Sequence, residues 1–379
     1  MLQETVARAD VGVAALSSGR VHIVSGSFGA GHDAAAREIA ARFQARGYDT
    51  RSWDIVDLFP AGLGRVVRAG YLRQLEVAPS SWGLLLSRLR PGTPGHRWAC
   101  RGLRLTHRRL RAVAEGRPDV IISTHPFASQ ALGSLRAAGE LSTPVVTYLT
   151  DMSVHPLWVH PAVDLHLAVH DVPASQARHW GGLTRTIRPV VPHPDGAGPA
   201  RAPAPSRVAS RRALGLPALG PLVLVTGGSL GIGELEQTAR DVLATGLAQP
   251  VVLCGHNDRL CARMKGKQSV HVLGWRDDIP AVLAAVDCVV QNSGGFLSLE
   301  ALAAPVPAVS YRCIPGHGET NAAALEEAGL IPWARDTAAL HRLLETALTT
   351  TRESPVTGAP GAVVDVVDAV FPSRTRILA

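Results

Sequence analysis

Short apolar runs recur along the chain, separated by stretches in which apolar residues fall three and four positions apart. Brief runs bounded by Gly, Pro or Asp read as buried strands, and the intervening spacing reads as amphipathic helix. In the first half the runs predict strands over 21–25, 50–53, 119–123, 145–149 and 163–169. A helix is predicted over 34–45, where Ile39 and Phe43 share a face. The alternation restarts in the second half, with strands over 221–226, 250–254, 270–273, 288–291 and 307–311 and helices over 234–245, 278–285 and 297–303. Strands alternating with helices predict an α/β protein with parallel sheets covered by helices.

Between the halves the composition changes. Residues 192–217 carry Pro192, Pro194, Pro199, Pro203, Pro205 and Pro217 among Ala, Gly and Arg, which predicts an interdomain linker. The expected organisation is therefore a first domain over 1–191, a linker over 192–217, a second domain over 218–355 and a tail over 356–379, in which 363–370 has a helical pattern. Two doubly wound, Rossmann-like units joined in this way face each other across a cleft, and their ligands sit outside the carboxyl ends of the strands. The length of 379 residues agrees with two cores rather than one.

No apolar run is long enough to cross a bilayer, and the N-terminal stretch, with Glu4 and Asp10, lacks the pattern of a signal peptide. The five cysteines show no C-x-x-C spacing, so reduced thiols and a cytoplasmic protein are expected. The net charge of +7 is unevenly placed. Between Arg65 and Arg111 stand eleven arginines and one acid, Glu76, interleaved with Trp82, Leu84, Leu85, Leu86 and Trp98. Such a mixture suits an anionic membrane surface, with peripheral attachment at the inner face; a solvated helix face is the alternative. No nucleic-acid-binding module accompanies it, and no nucleic-acid partner is expected.

Candidate chemistry lies in two glycine loops. The first strand runs into Ser25-Gly26-Ser27-Phe28-Gly29-Ala30-Gly31-His32-Asp33. Gly26 and Gly31 have P-loop spacing, but His32 and Asp33 stand where that loop needs Lys and Ser/Thr, which excludes it. A G-x-G-x-x-A match starting at Gly29 keeps a dinucleotide enzyme open, with Asp49 or Asp54 as ribose partner. The favoured reading has Gly29 and Gly31 admitting an acceptor while His32 takes a proton from its hydroxyl, supported by Asp151. In the second half, Thr226-Gly227-Gly228-Ser229 and Asn292-Ser293-Gly294-Gly295 each lead from a strand into a helix, an arrangement suited to a diphosphate, with Glu300 placed for a ribose. No Asp-x-Asp occurs, and His125, His155, His160, His166 and His170 fall in strands and loops with no H-E-x-x-H or H-x-x-E-H, so neither a metal nor a cofactor beyond the co-substrate is expected.

These residues, with Ser123-Thr-His125-Pro126, Thr150-Asp151-Met-Ser153-Val-His155-Pro156, Cys254-Gly255, Gly274-Trp275, the 287–300 segment and Pro315-Gly316-His317-Gly318-Glu319-Thr320-Asn321, resemble glycosyltransferase family 28. Within it, the monogalactosyldiacylglycerol synthases and bacterial diacylglycerol glucosyltransferases are most similar. The resemblance covers most of the chain and implies a GT-B fold and an inverting, metal-independent transfer from a UDP-sugar to a lipid such as diacylglycerol. It puts His32 at the general base and His125 and His155 on the acceptor side. On the donor side it implies Gly274 and Trp275 at the uracil, Glu300 at the ribose, and Gly228, Ser229, Ser293, Gly294 and Gly295 at the diphosphate. Glu319 and Asn321 fall at the sugar. The chain departs from the family at Gly294-Gly295-Phe296-Leu297, where a threonine hydroxyl is missing. Rival readings are a nucleotide-sugar epimerase and a nucleotide-sugar-binding protein without catalysis.

Overall fold

The computed structural model describes residues 19–78, 81–192, 206–304, 306–350 and 362–370. The first half runs β1 (Arg20–Ser25), α1 (Ala30–Ala45), β2 (Asp49–Asp54), α2 (Leu63–Val77), α3 (Ser81–Arg88), α4 (Pro94–Leu103), α5 (His107–Glu115), β3 (Val120–Ser123), α6 (Pro126–Ala137), β4 (Val145–Tyr148), β5 (Leu165–Ala168), α7 (Asp171–His179) and β6 (Thr184–Thr186). The second half continues with α8 (Arg207–Ala213), β7 (Leu222–Thr226), α9 (Leu235–Ala244), β8 (Gln249–Leu253), α10 (Asp258–Met264), β9 (His271–Leu273), α11 (Ile279–Ala285), β10 (Cys288–Gln291), α12 (Phe296–Ala303), β11 (Ala308–Tyr311), α13 (His317–Glu327), β12 (Trp333–Ala334), α14 (Thr337–Thr349) and α15 (Val363–Val370).

Each half builds one six-stranded sheet, ordered β2-β1-β3-β4-β5-β6 and β12-β11-β10-β7-β8-β9, and the strand pairs are parallel. In each, the chain moves outward from its first strand, then returns to build on the other side. The reversal falls between β1 and β3 in the first sheet and between β7 and β10 in the second, where the diverging connections open a crevice. The glycine loops read from the sequence leave β1, β7 and β10, so chain order alone delivers them to the crevices.

The central strands, such as β3, β4, β7 and β10, are buried on both faces because both faces are covered, whereas the edge strands β2 and β6 are polar and partly exposed. Val120 and Ile122 of β3 join one core cluster, and Ile121 between them joins another. In the second sheet Leu222 and Leu224 face the layer shared with the first half, while Val223 and Val225 face away from it. That shared layer is continuous from Ile39 and Phe43 of α1 through Phe296 and Leu299 of α12 to Val363, Val364 and Val367 of α15. The final helix thus packs on the first half, where Asp365 pairs with Arg46 at 2.8 Å. Burying this layer ties the two domains together with the largest non-directional term available to a protein.

Of the expected linker, 193–205 fall outside the described residues, as do 1–18 and the tail apart from α15. From 206 the chain forms α8, which fits between Pro205 and Pro217. Its buried Arg211 donates to the Ala285 carbonyl at 2.8 Å and pairs with Asp287 at 2.7 Å. The strands β6 and β12, absent from the sequence reading, close one edge of each sheet; β6 is Thr-Arg-Thr with no apolar run, and β12 is two residues long, directly after Pro332. No helix among the described residues is long and apolar enough to cross a membrane.

Candidate active site

α1 begins directly after Gly29, so Ala30, Gly31 and His32 form its first turn, and His32 leaves the helix start toward the strand ends. Its Nδ1 lies 2.9 Å from the Thr124 carbonyl, just past β3, and 3.1 Å from the Thr150 hydroxyl, just past β4. Only a protonated Nδ1 satisfies the carbonyl, which leaves the Nε2 lone pair free for chemistry. Burial lowers the His32 pKa below its usual value, the opposing charge of Asp151 being the largest influence the other way. The imidazole is therefore neutral near pH 7, the form a general base needs.

Asp151 supports His32 through charge rather than through a hydrogen bond. Its Oδ2 accepts from the Trp158 indole at 3.1 Å and its Oδ1 lies 3.7 Å from His317 Nε2 of the second half. Thr124 and Thr150, which stand within the motifs that carry the resemblance but had no role of their own, and Trp158, which the sequence did not single out, complete the surroundings; the Trp158 ring centroid is 5.7 Å from that of His32.

The expected acceptor residues divide. His125 is buried and meets His32 edge-on at 4.7 Å; its Nδ1 accepts from the Phe127 amide, and its ring stacks on Phe28 at 5.0 Å. Burial holds its pKa well below the usual histidine range, so it acts as a neutral wall. Gly26 is required here, because a Cβ would lie 2.6 Å from the His125 ring. Gly31 faces the second half instead: a Cβ there would be 2.7 Å from Phe296 Cβ. His155 accepts from the Leu157 amide at 3.2 Å, capping the turn that carries Trp158. Gly29 borders His32, with room for a Cβ 4.0 Å from the ring.

On the opposite wall, the loop after β7 folds tightly: Gly231 N–H donates to the Gly228 carbonyl and Ile232 N–H to the Gly227 carbonyl. Gly228 sits at φ +70°, a left-handed conformation that favours glycine. Asn292, past β10, donates to the Ile232 carbonyl at 2.8 Å and so fastens this loop to the neighbouring one. The Ser229 hydroxyl accepts from Ala30 N–H at 3.3 Å, which brings the two glycine loops into direct contact. The amides of Ser293 and Gly294 are not directed at the cleft; both donate to the Gln291 side chain. The orphan N–H groups of this loop begin at Gly295, the N-cap of α12, and continue into its first turn.

One turn along α12, the side chain of half-buried Glu300 makes no hydrogen bond or ion pair with any described residue, and burial pushes its pKa up to about 8. Nothing lies within 4 Å of a Cβ on Gly274, and Trp275 beside it is 38% exposed, stacked on His256 at 4.0 Å and donating to Asp277. Glu319 caps its own helix by accepting from Gly316 N–H at 3.0 Å. Asn321 is fully buried between the halves. No group of three or more His, Cys, Asp or Glu is arranged to hold a metal among the described residues. A separate cavity of ≈590 Å³ in the second half is lined by Glu234, Glu236, Arg240, Arg263 and Arg312, whose charges pair among themselves.

Two parallel-sheet domains with their crevices opposed, one presenting an imidazole and the other glycine loops at helix starts, define a GT-B fold. A solved glycosyltransferase of Streptomyces sp. SF2575, SsfS6 complexed with thymidine diphosphate, shares it with a TM-score of 0.56 at 16% identity, over 95% of this chain and 98% of that one. The family model described as monogalactosyldiacylglycerol (MGDG) synthase matches residues 32–190, which begin at the candidate base. A processive diacylglycerol beta-glucosyltransferase of Bacillus thuringiensis (strain Al Hakam) is 26% identical over 246 residues, 60% of each chain. Monogalactosyldiacylglycerol synthase 1 of Arabidopsis thaliana is 30% identical over 245 residues, 59% of this chain and 43% of its own. The chain is a relative of these lipid glycosyltransferases, and its match spans about 60% of the length of the first curated relatives.

Proposed function

We propose that this chain transfers a sugar from a UDP-sugar to the hydroxyl of a diacylglycerol-type lipid, inverting the anomeric carbon in one displacement. The carrying observation is His32: a neutral imidazole tied at Nδ1 to a backbone carbonyl, its other nitrogen free, opposite helix-start amides. In this reading His32 Nε2 takes the acceptor proton as the oxygen attacks, and the bond from sugar to diphosphate breaks. The amides at the start of α12, with its dipole, take up the negative charge of the leaving group, the task a divalent cation performs elsewhere. Names of the relatives at this identity supply the lipid acceptor and the hexosyl donor. A screen of nucleotide sugars against lipid extracts, read by mass, is expected to yield a hexosylated diacylglycerol. Epimerised donor without acceptor would favour an epimerase instead.

A second reading, nucleotide-sugar binding without transfer, draws support from Phe296, which packs against Gly31 where the donor and acceptor loops meet.

The acceptor implies a peripheral position on an anionic membrane at the cytoplasmic face. Leu63, Val66 and Val67 of α2 and Trp98 of α4 are exposed, Trp98 to 70%, among Arg65, Arg68, Arg97 and Arg101. Apolar side chains exposed among arginines suit insertion beside phosphate headgroups. The side chains of Trp82, Leu84 and Leu86 lie outside the described residues. Flotation with phosphatidylglycerol vesicles at low salt is expected to carry the protein, and Trp98→Ser to weaken it. Absence of binding by the unaltered protein would remove the membrane from the account.

A further inference from the structure

We infer that Asn321 is a positioning residue: it sets the register of the two domains and so the distance from the diphosphate loop to His32. The inference rests on the transfer reading above but replaces the sugar contact expected for this residue. The Asn321 side chain is 0% exposed. Its Oδ1 accepts from the backbone N–H of Ser153 at 2.8 Å, two residues past Asp151 in the first half. Its Nδ2 donates to the Ser293 carbonyl at 3.3 Å, in the loop leading to α12, and lies 3.2 Å from His317 Nε2.

One amide therefore holds the loop carrying Asp151, the loop carrying the α12 start, and the histidine facing Asp151. Both of its polar atoms are committed to protein, and no face is open to solvent. Gly294 reinforces the fit: at φ +63° a Cβ there would lie 2.4 Å from Asn321 Cβ, so glycine at this position lets the loop approach Asn321 this closely. The remaining polar links near this point are longer or weaker, Ala30 to Ser229 at 3.3 Å and His317 to Asp151 at 3.7 Å. Asparagine suits the position because it offers an acceptor and a donor on a short stem. Leucine has the size and neither group, leaving the Ser153 N–H and the Ser293 carbonyl unpaired.

A registration role and a sugar contact give different results in Asn321→Leu, with Asn321→Ser as a second variant should the first not fold. Registration predicts that kcat for transfer falls by ~10²-fold, the scale of a small misplacement of reacting groups. The KM for the UDP-sugar and the affinity for UDP alone stay within about twofold, because neither was served by the side chain. In the same variants the Ser153 amide loses its protection from hydrogen exchange, a reading that needs no turnover. A raised KM for the UDP-sugar with UDP affinity and Ser153 protection unchanged would restore the sugar contact and overturn the inference. Should the unaltered protein transfer no sugar, the exchange of Ser153 alone decides: protection retained in both variants refutes registration.

Discussion

His32→Ala is expected to lower turnover by ~10²–10⁴-fold, the usual weight of general-base assistance, while UDP affinity is retained. The residue belongs to the first domain, and its side chain makes no hydrogen bond to the described glycine loops of the second; its ring nitrogen is anchored to Thr124 and Thr150. Removing it deletes the proton acceptor and leaves the donor wall standing. The pH profile adds a sign. Burial lowers the His32 pKa, so the base is already deprotonated near neutrality, and kcat/KM is lost only as pH falls through that lowered value. Asp151 works in the opposite direction by favouring the imidazolium that forms during transfer. Full turnover in the alanine variant, measured with saturating donor and lipid, would end the assignment.

The second large effect concerns Glu300. A half-buried carboxyl without a partner among the described residues, its pKa raised to about 8, is poised for hydrogen-bond donors such as ribose hydroxyls. Those hydroxyls prefer the ionised carboxylate, so affinity for UDP should rise between pH 7 and pH 9. Glu300→Gln is expected to weaken UDP by ~10-fold, the worth of a hydrogen bond to a charged group, and to flatten that rise. Stability moves the other way. Between the ordinary glutamate value of 4.5 and about 8, the folded protein holds a proton that the unfolded chain has released. Stability therefore declines as pH rises through this window, and the glutamine variant escapes the decline. Titration calorimetry and thermal melts at pH 5 and pH 9 read both effects; identical behaviour of the two proteins would dismiss the ribose contact.

Much of the site follows from chain order. A glycine loop after the first strand of each domain, and another at β10, must fall at the reversal of a doubly wound sheet, and His32 must then stand at a helix start facing the crevice. What each group does there was less legible. Ser293 and Gly294 have the residue types of an anion-binding turn, yet Gln291 folds back onto their amides. Glu319 has the chemistry for a sugar hydroxyl and spends it on its own helix cap. Gly31, in the loop expected to receive the acceptor, gives passage to Phe296 from the other domain.

The sequence by itself determined the alternation of strand and helix, the two-domain α/β class and the residues delivered to the cleft. Those follow from side-chain periodicity and from glycine's backbone freedom, properties carried within a few residues. Only the tertiary structure decided the edge strands β6 and β12, the docking of α15 on the first half, the hold of Trp158 on Asp151 and the burial of Asn321. A hydrogen bond such as Ser153 to Asn321 joins residues 168 positions apart. Its existence depends on how two sheets and their covering helices come to rest against one another, and no local pattern carries that information.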